Sequence, residues 1–222
     1  MQRRHFLSAS LTTVALARFA PAAADSPRLP TRKTIRAAFL LGQGANVIDT
    51  CGPWEVFQDT MVGDGGHHHP FEIYTVAPGK KLVEMTGGLT VMPKYALEDA
   101  PDPQVVIVPA QKSHPAALEW LRSVSPRTDV TMSVCTGAFQ LGRAGLLKGL
   151  PATTHHDFFD AFAKEFPDVE VRRGLRFIDN GRIATAGGLT SGIDLALHIV
   201  ERYFGPDAAQ ATATYMEYTR SQ

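Results

Sequence analysis

The fold is most clearly indicated by the sequence Val130-Thr131-Met132-Ser133-Val134-Cys135-Thr136-Gly137-Ala138-Phe139. Its first half is an apolar run of the kind that forms a buried strand, and residues 137–147 have the pattern of a helix. A strand that passes directly into a helix at a cysteine predicts a sharp turn that presents the side chain at the top of a sheet. We therefore expect Cys135 to occupy an elbow between these two elements.

Strands and helices alternate in the same way along the rest of the chain, which predicts an α/β fold with a doubly wound, mainly parallel sheet and helices on both faces. Because the connections are short, we expect a single domain over residues 34–222. Functional sites in such sheets lie beyond the carboxyl ends of the strands. The patterns predict strands over 34–41, 71–77, 89–92, 104–109 and 129–134, a hairpin over 175–186, and helices over 53–61, 115–124, 137–147, 157–166, 193–204 and 207–218.

The composition is that of an ordinary globular protein, with 222 residues, 44% of them hydrophobic and 20% charged. Lysine plus arginine and aspartate plus glutamate both number 22, so the formal net charge is zero. A nucleic-acid-binding domain normally carries a basic excess, and we therefore expect no nucleic-acid partner. No apolar run reaches the roughly 18 residues that a membrane span needs, so we expect no membrane span.

The N-terminus has the composition of an export signal rather than of a folded element. A basic pair, Arg3-Arg4, precedes a short apolar stretch, and Ala22-x-Ala24 is a small-residue cleavage site. The pattern predicts a twin-arginine-type signal peptide over 1–24, and therefore a periplasmic protein. Residues 25–33, which contain two prolines, are then expected to form a loose leader.

Cys135 and Asp49 are the candidate reactive residues. A helix that begins directly after a cysteine is expected to lower the pKa of the thiol and so make it a better nucleophile. The other interpretation of Cys135 is a buried cysteine packed as a small hydrophobic residue. Asp49 follows the first strand at the same sheet edge, either as a helix cap or as an acid or base near the sulfur. In an oxidising periplasm, Cys51 and Cys135 could also form a disulfide.

Several motifs together resemble the ThiJ/PfpI superfamily, which has a flavodoxin-like, class I glutamine-amidotransferase-like fold. The resemblance spans about residues 34–205, and within the superfamily it points to isonitrile hydratases and to the sensor halves of some regulators. The motifs are Asp49-x-x-Gly52-Pro53-x-Glu55-Val56-Phe57, Val134-Cys135-Thr136-Gly137-Ala138-Phe139-x-Leu141-Gly142-x-Ala144-Gly145-Leu146-Leu147, Ala152-Thr153-Thr154-His155 and Gly188-Leu189-Thr190-Ser191-Gly192-Ile193-Asp194.

The resemblance implies a cysteine-dependent hydratase that converts a small isonitrile to an N-substituted formamide without a cofactor or a metal. Cys135 would be the nucleophile, Asp49 would move protons, and Thr136 would stabilise the developing charge. It also implies a small-molecule substrate and a homodimer. Alternative functions are a non-catalytic or redox-sensing protein and a glyoxalase-type activity. The candidate substrate-binding residues are Gly52, Glu55, Ala110, Gln111 and His155.

Three departures from related patterns narrow the range of expected functions. Thr136 follows the elbow cysteine where PfpI-type proteases and deglycases usually have histidine, and His198 and Glu201 lack the spacing of an amidotransferase pair. Pro109-Ala110-Gln111 replaces the usual Pro-Gly-Gly, so we expect altered N–H geometry there, with the Gln111 amide directed to the substrate. The tract 67–69 holds three adjacent histidines, which we interpret as a solvated loop rather than a metal site.

Overall fold

A seven-stranded sheet runs through the protein, whose computed structural model describes residues 27–63 and 68–220. The strands are β1 (Ile35–Leu40), β2 (Phe71–Ala77), β3 (Val83–Glu84), β4 (Thr90–Val91), β5 (Tyr95–Ala96), β6 (Val105–Val108), β7 (Val130–Val134), β8 (Pro151–Ala152), β9 (Glu170–Val171), β10 (Phe177–Asp179) and β11 (Ile183–Ala186). The sheet has the order β10-β11-β7-β6-β1-β2-β5, and only the β10–β11 pair is antiparallel. The predicted α/β fold with a mainly parallel sheet is confirmed.

Helices cover both faces of this sheet, because its central strands are apolar on both sides. Alternate residues of β1 enter opposite cores, with Phe39 on one side and Leu40 on the other. The first core is completed by α1, α5 and α6, and the second by α2, α3 and α4. The helices are α1 (Val47–Asp59), α2 (Pro115–Val124), α3 (Gly137–Arg143), α4 (Phe159–Glu165), α5 (Ser191–Phe204) and α6 (Pro206–Tyr215).

The first helix begins earlier than the sequence predicts, and this shift decides where Asp49 lies. The pair Gly52-Pro53 predicts a helix start at residue 53, but α1 starts at Val47 and contains Pro53. The side chain of Asn46 caps the helix by accepting hydrogen bonds from the N–H groups of Ile48 and Asp49. Asp49 therefore belongs to the first turn of a helix rather than to a loop.

Several residues of the predicted leader, which is otherwise exposed where the structure describes it, contact the rest of the protein. Leu29 N donates to the Arg202 carbonyl at 3.0 Å, and Arg202 Nε donates to the Pro27 carbonyl at 3.2 Å. Arg32 forms a bidentate ion pair with Asp129. These contacts connect the segment to α5 and to the residue before β7.

Some predicted features fall outside the part of the chain that the structure covers. The signal peptide predicted over residues 1–24 lies wholly outside the described residues, as does His67 of the histidine tract. Within residues 27–63 and 68–220, none of the helices has the length and apolar character required to cross a membrane.

The elbow between β7 and α3 fits against the neighbouring strand only because Gly137 has no side chain. A Cβ at this position would lie 2.0 Å from the carbonyl oxygen of Val108, at the end of β6. The backbone of β6 is held on both sides by the sheet, so it cannot retreat without breaking strand pairing. Gly137 thus allows the start of α3 to approach the carboxyl end of β6.

We expect Gly137→Ala to lower the free energy of unfolding by about 3 kcal/mol, the upper end of the usual cost of overpacking. Urea denaturation of both proteins measures this loss. Gly79→Ala is the matched control, because a Cβ at Gly79 meets nothing within 4 Å and should change stability by less than about 0.5 kcal/mol. Equal stability of Gly137→Ala and the wild-type protein would contradict the close approach.

Candidate active site

Cys135 occupies the turn between β7 and α3 in a strained backbone conformation. Its φ is 58°, a left-handed value that costs a residue with a side chain about 1–2 kcal/mol. Hydrogen bonds hold it there: Cys135 N donates to the carbonyls of Gly187 at 2.8 Å and Ala186 at 3.2 Å, and Thr154 Oγ1 donates to the Cys135 carbonyl at 2.9 Å. The predicted elbow is therefore present, and it is fixed from two other segments of the chain.

Asp49 is completely buried beside this elbow. Its Oδ2 accepts a hydrogen bond from Ala110 N at 3.1 Å, whereas Oδ1 is buried without a close hydrogen bond among the described residues. Burial raises the pKa of Asp49 to about 6, and the N–H of Ala110, the thiol of Cys135 and the N–H of Leu189 oppose that rise only in part. At neutral pH the carboxyl is ionised, but its pKa lies close enough to 7 for proton exchange.

The Cys135 thiol has the opposite pKa shift from the one that its position before a helix predicts. Burial and the negative charge of Asp49 raise the pKa of the thiol to about 11. The N–H groups of Thr136 and Leu189 lower it, but they do not outweigh burial and the carboxylate. In the resting site at pH 7, the proton therefore lies on sulfur and the negative charge lies on Asp49.

Two backbone N–H groups face the sulfur, and sequence reasoning identified only one of their residues. Thr136 was expected to contribute an N–H or a hydroxyl. Its N–H interacts with the sulfur, and its hydroxyl makes no capping bond to α3. Leu189 was missed, although it too has a left-handed backbone, with φ 53°. Only the glycines around Leu189 in the sequence could have indicated an unusual backbone there.

The replacement of Pro-Gly-Gly by Pro109-Ala110-Gln111 is accommodated without strain. Among the described residues, the non-glycine positions with positive φ do not include Ala110, and its N–H is directed to Asp49. Gln111 does not present its NH2 group to a substrate as we expected, because Nε2 donates to the Leu40 carbonyl at 3.0 Å. Ala110 therefore helps to position the carboxylate, and Gln111 closes the end of β1.

Three other predicted binding residues lie in different surroundings. Gly52 permits α1 to approach α5, since a Cβ there would lie 2.9 Å from Ile193 Cγ1. Glu55 is exposed and accepts a hydrogen bond from Gln58. His155 does lie beside the elbow segment, packed so closely on Gly188 that a Cβ there would be 2.3 Å from its ring. A direct role in substrate binding stays a prediction for all three.

A cavity of about 360 Å³ adjoins the elbow and shares several of its supports. Thr154, Gly187 and Leu189, which contact Cys135 or its backbone, all line it. Arg176 also lines it, and its guanidinium pairs with the buried carboxylate of Asp194. The cavity is large enough for a small organic molecule.

The cysteines do not form the disulfide that the sequence left open. Both Cys51 and Cys135 are free, and Cys51 is exposed whereas Cys135 is buried. His198 and Glu201, set aside on spacing, lie on α5, where His198 Nε2 is 2.9 Å from Asp179 Oδ2. His198 therefore belongs to the contact between α5 and β10.

Replacing Asp49 by asparagine should stabilise the fold, because a buried carboxylate with a raised pKa opposes folding once it is ionised. A rise from 3.8 to about 6 is roughly two pKa units, or about 3 kcal/mol at pH 7. The folded protein binds the proton more tightly than the unfolded chain, so this cost is absent below pH 3.8 and complete above pH 6. Asp49→Asn should therefore exceed the wild type in stability by an amount that grows across that interval, as measured by urea denaturation at several pH values.

Asp99→Asn is the control of opposite sign. The hydrogen bond from Lys80 lowers the pKa of Asp99, so its ionised form favours folding. This variant should therefore lose stability above pH 4 and gain none. A wild-type protein that is more stable than Asp49→Asn at pH 7 would contradict the burial cost of Asp49.

The sequence of this chain is similar to those of known proteins. The chain is 30% identical over 192 residues to the isonitrile hydratase of Pseudomonas putida, a match that covers 83% of this chain and 78% of that protein. It is 36% identical over 177 residues to the HTH-type transcriptional regulator CdhR of Pseudomonas aeruginosa. That second match covers 77% of this chain but spans only 51% of the regulator.

Solved structures share the fold. A crystal structure of a ThiJ/PfpI family protein from Pseudomonas syringae superposes with a TM-score of 0.75 and 24% identity, over 95% of this chain and 86% of that one. Schizosaccharomyces pombe DJ-1 superposes with a TM-score of 0.69 at 13% identity, over 83% of this chain and all of the other. The DJ-1/PfpI family pattern matches residues 35–202. The chain therefore belongs to the DJ-1/PfpI family.

Proposed function

We propose that this protein is a cysteine-dependent hydratase that adds water to a small isonitrile and releases an N-substituted formamide. The observation that carries the proposal is the environment of one sulfur. Cys135 interacts with the carboxylate of Asp49 and with the N–H groups of Thr136 and Leu189. The elbow therefore brings together a nucleophile, a base beside it, and two N–H donors that can stabilise the charge that develops during the reaction.

In the first step, the Cys135 sulfur attacks the terminal carbon of the isonitrile while its proton passes to Asp49. This transfer removes the carboxylate charge that opposes a thiolate, so the pair changes from thiol and carboxylate to thiolate and acid. The acid then delivers the proton to the attacked carbon, which gives a thioimidate bound to Cys135. The N–H groups of Thr136 and Leu189 stabilise the negative charge on sulfur.

In the second step, water attacks the thioimidate carbon, with Asp49 as the base that accepts a proton. The carbon–sulfur bond breaks, the second proton of the water passes to the nitrogen, and the formamide leaves. The proton on Asp49 returns to sulfur and restores the resting pair. The atoms of one water molecule appear in the product, and no electrons are exchanged with an outside reagent.

The similarity to an isonitrile hydratase over most of both chains supports this reaction class. The twin-arginine-type sequence at residues 1–24 supports a periplasmic location for it, and we expect the protein to act as a homodimer. We take sensing of a small molecule without turnover as the second candidate function. It is favoured by the similarity to a regulator and by the protonated resting state of the thiol.

Turnover should be visible directly by mass spectrometry. We expect the wild-type protein to convert an alkyl isonitrile, such as cyclohexyl isocyanide, to its formamide, and Cys135→Ala to lower that rate by at least about a thousandfold. Cys51→Ser is the matched control and should keep the wild-type rate, because Cys51 is exposed on α1. Equal rates for wild type and Cys135→Ala would reject the hydratase. Binding of the isonitrile without formamide would favour the sensor.

Alkylation of Cys135 by iodoacetamide tests the role of Asp49 without a substrate. In a Cys51→Ser background only Cys135 can react. Because the charge of Asp49 raises the pKa of the thiol, Asp49→Asn should increase the thiolate fraction and speed alkylation between pH 8 and 9. A slower reaction in Asp49→Asn would mean that the carboxylate promotes ionisation in the resting state, contrary to its effect on the pKa of the thiol described above.

A further inference from the structure

A cluster of two imidazoles and one carboxylate lies on the turn that follows β8, outside the catalytic pair. His155, His156 and Asp157 each offer one ligand atom, and these atoms all lie within 4.8 Å of one another. His156 Nε2 is 3.2 Å from Asp157 Oδ1, and His155 Nδ1 is 3.7 Å from Asp157 Oδ2. The two imidazole rings stack, with centroids 4.3 Å apart.

These separations are close to those of a coordination sphere. Zinc binds imidazole nitrogen and carboxylate oxygen at about 2.0–2.2 Å, so neighbouring ligand atoms of a tetrahedral site are about 3.4 Å apart. The distances from His156 and His155 to the Asp157 carboxylate, 3.2 and 3.7 Å, are near that value but involve different oxygens, so an exposed side chain has to rotate to bring all three ligand atoms to one ion. The side chains of His156 and Asp157 are free to rotate, since they are 75% and 67% exposed.

The surroundings of the cluster do not oppose a cation. Arg176, which lines the same cavity as His155 and His156, is neutralised by the buried carboxylate of Asp194. Arg173 pairs with Asp160 on the neighbouring helix α4. The carboxylate of Asp157 has no ion pair among the described residues other than those with the two histidines.

The histidine tract that attracts attention in the sequence is less suited to a metal. His68 Nε2 lies 2.9 Å from the Lys33 carbonyl, and His69 Nδ1 lies 3.1 Å from the Gln58 carbonyl. Each ring nitrogen in these contacts is engaged with the backbone, on two different segments. These contacts hold the two rings against different segments, whereas the possible ligand atoms of the cluster at 155–157 already lie together, with Asp157 N donating to His155 Nδ1 at 3.3 Å.

We propose that His155, His156 and Asp157 form a binding site for a divalent transition-metal ion of the zinc and copper class. Two imidazoles and a carboxylate are ligands that such ions accept, and three protein ligands leave at least one coordination position open. The site lies on the wall of the cavity that Leu189 and Thr154 also line. A bound ion could therefore accept a Lewis-basic group of a small molecule that enters beside the elbow.

Isothermal titration of the untagged protein with zinc chloride tests the site, in a Cys51→Ser background that removes the exposed thiol. We expect a single equivalent of zinc to bind, and we expect His156→Gln and Asp157→Asn each to weaken binding by roughly tenfold or more. Both substitutions are on exposed side chains, so folding should be unaffected. The double substitution His68→Gln with His69→Gln is the matched control and should bind zinc like its parent.

Copper provides a spectroscopic check on which nitrogens bind. With one equivalent of copper(II), the electron paramagnetic resonance spectrum should show coupling to two imidazole nitrogens, and one of them should be lost in His156→Gln. The proposal is overturned if zinc does not bind, if binding is unchanged in both His156→Gln and Asp157→Asn, or if it is lost in the His68 and His69 double variant. None of these outcomes depends on hydratase activity.

Discussion

The site depends on one unfavourable contact: an ionised carboxylate buried against a thiol. Asp49 keeps its charge at neutral pH despite complete burial, and burial of the thiol together with that charge keeps the proton on Cys135. Neither residue is in a relaxed state, since Cys135 also has a left-handed backbone. The rest of the fold must supply the stability that these two residues cost, and the doubly covered sheet with its two apolar cores does so.

The sheet and the elbow could be predicted because both leave strong local patterns. Val105–Val108 is a continuous apolar run, as expected of a central strand that is buried on both faces, and Val130–Val134 combines valine and methionine with buried threonine and serine. A helix that follows such a strand directly leaves room for only a tight turn. The start of α1 was predicted wrongly because Pro53 is a common first residue of a helix. The helix instead begins at Val47, where the side chain of Asn46 caps it, and it continues through Pro53.

The chemistry of the site was harder to predict, because the pKa of the thiol and the groups around the sulfur depend on contacts between segments that are distant in the sequence. A helix start after Cys135 lowers a thiol pKa in isolation, but burial and Asp49 reverse the sign, and neither is visible in a local pattern. The contribution of Leu189 is an N–H group, which any residue except proline carries, so its side chain gives no indication of the role. The clustering of His155, His156 and Asp157 is local, yet the distances between their ligand atoms depend on the turn geometry.

The hydrogen bond from Ala110 N to Asp49 limits which residues can occupy position 110. The protein uses only the main-chain N–H at residue 110, and the backbone there has an ordinary conformation, so glycine is not required. Exchange between glycine and alanine at this point leaves the pair of Asp49 and Cys135 in place, whereas proline would remove the N–H that donates to Asp49 Oδ2. Position 110 thus accepts glycine or alanine but not proline.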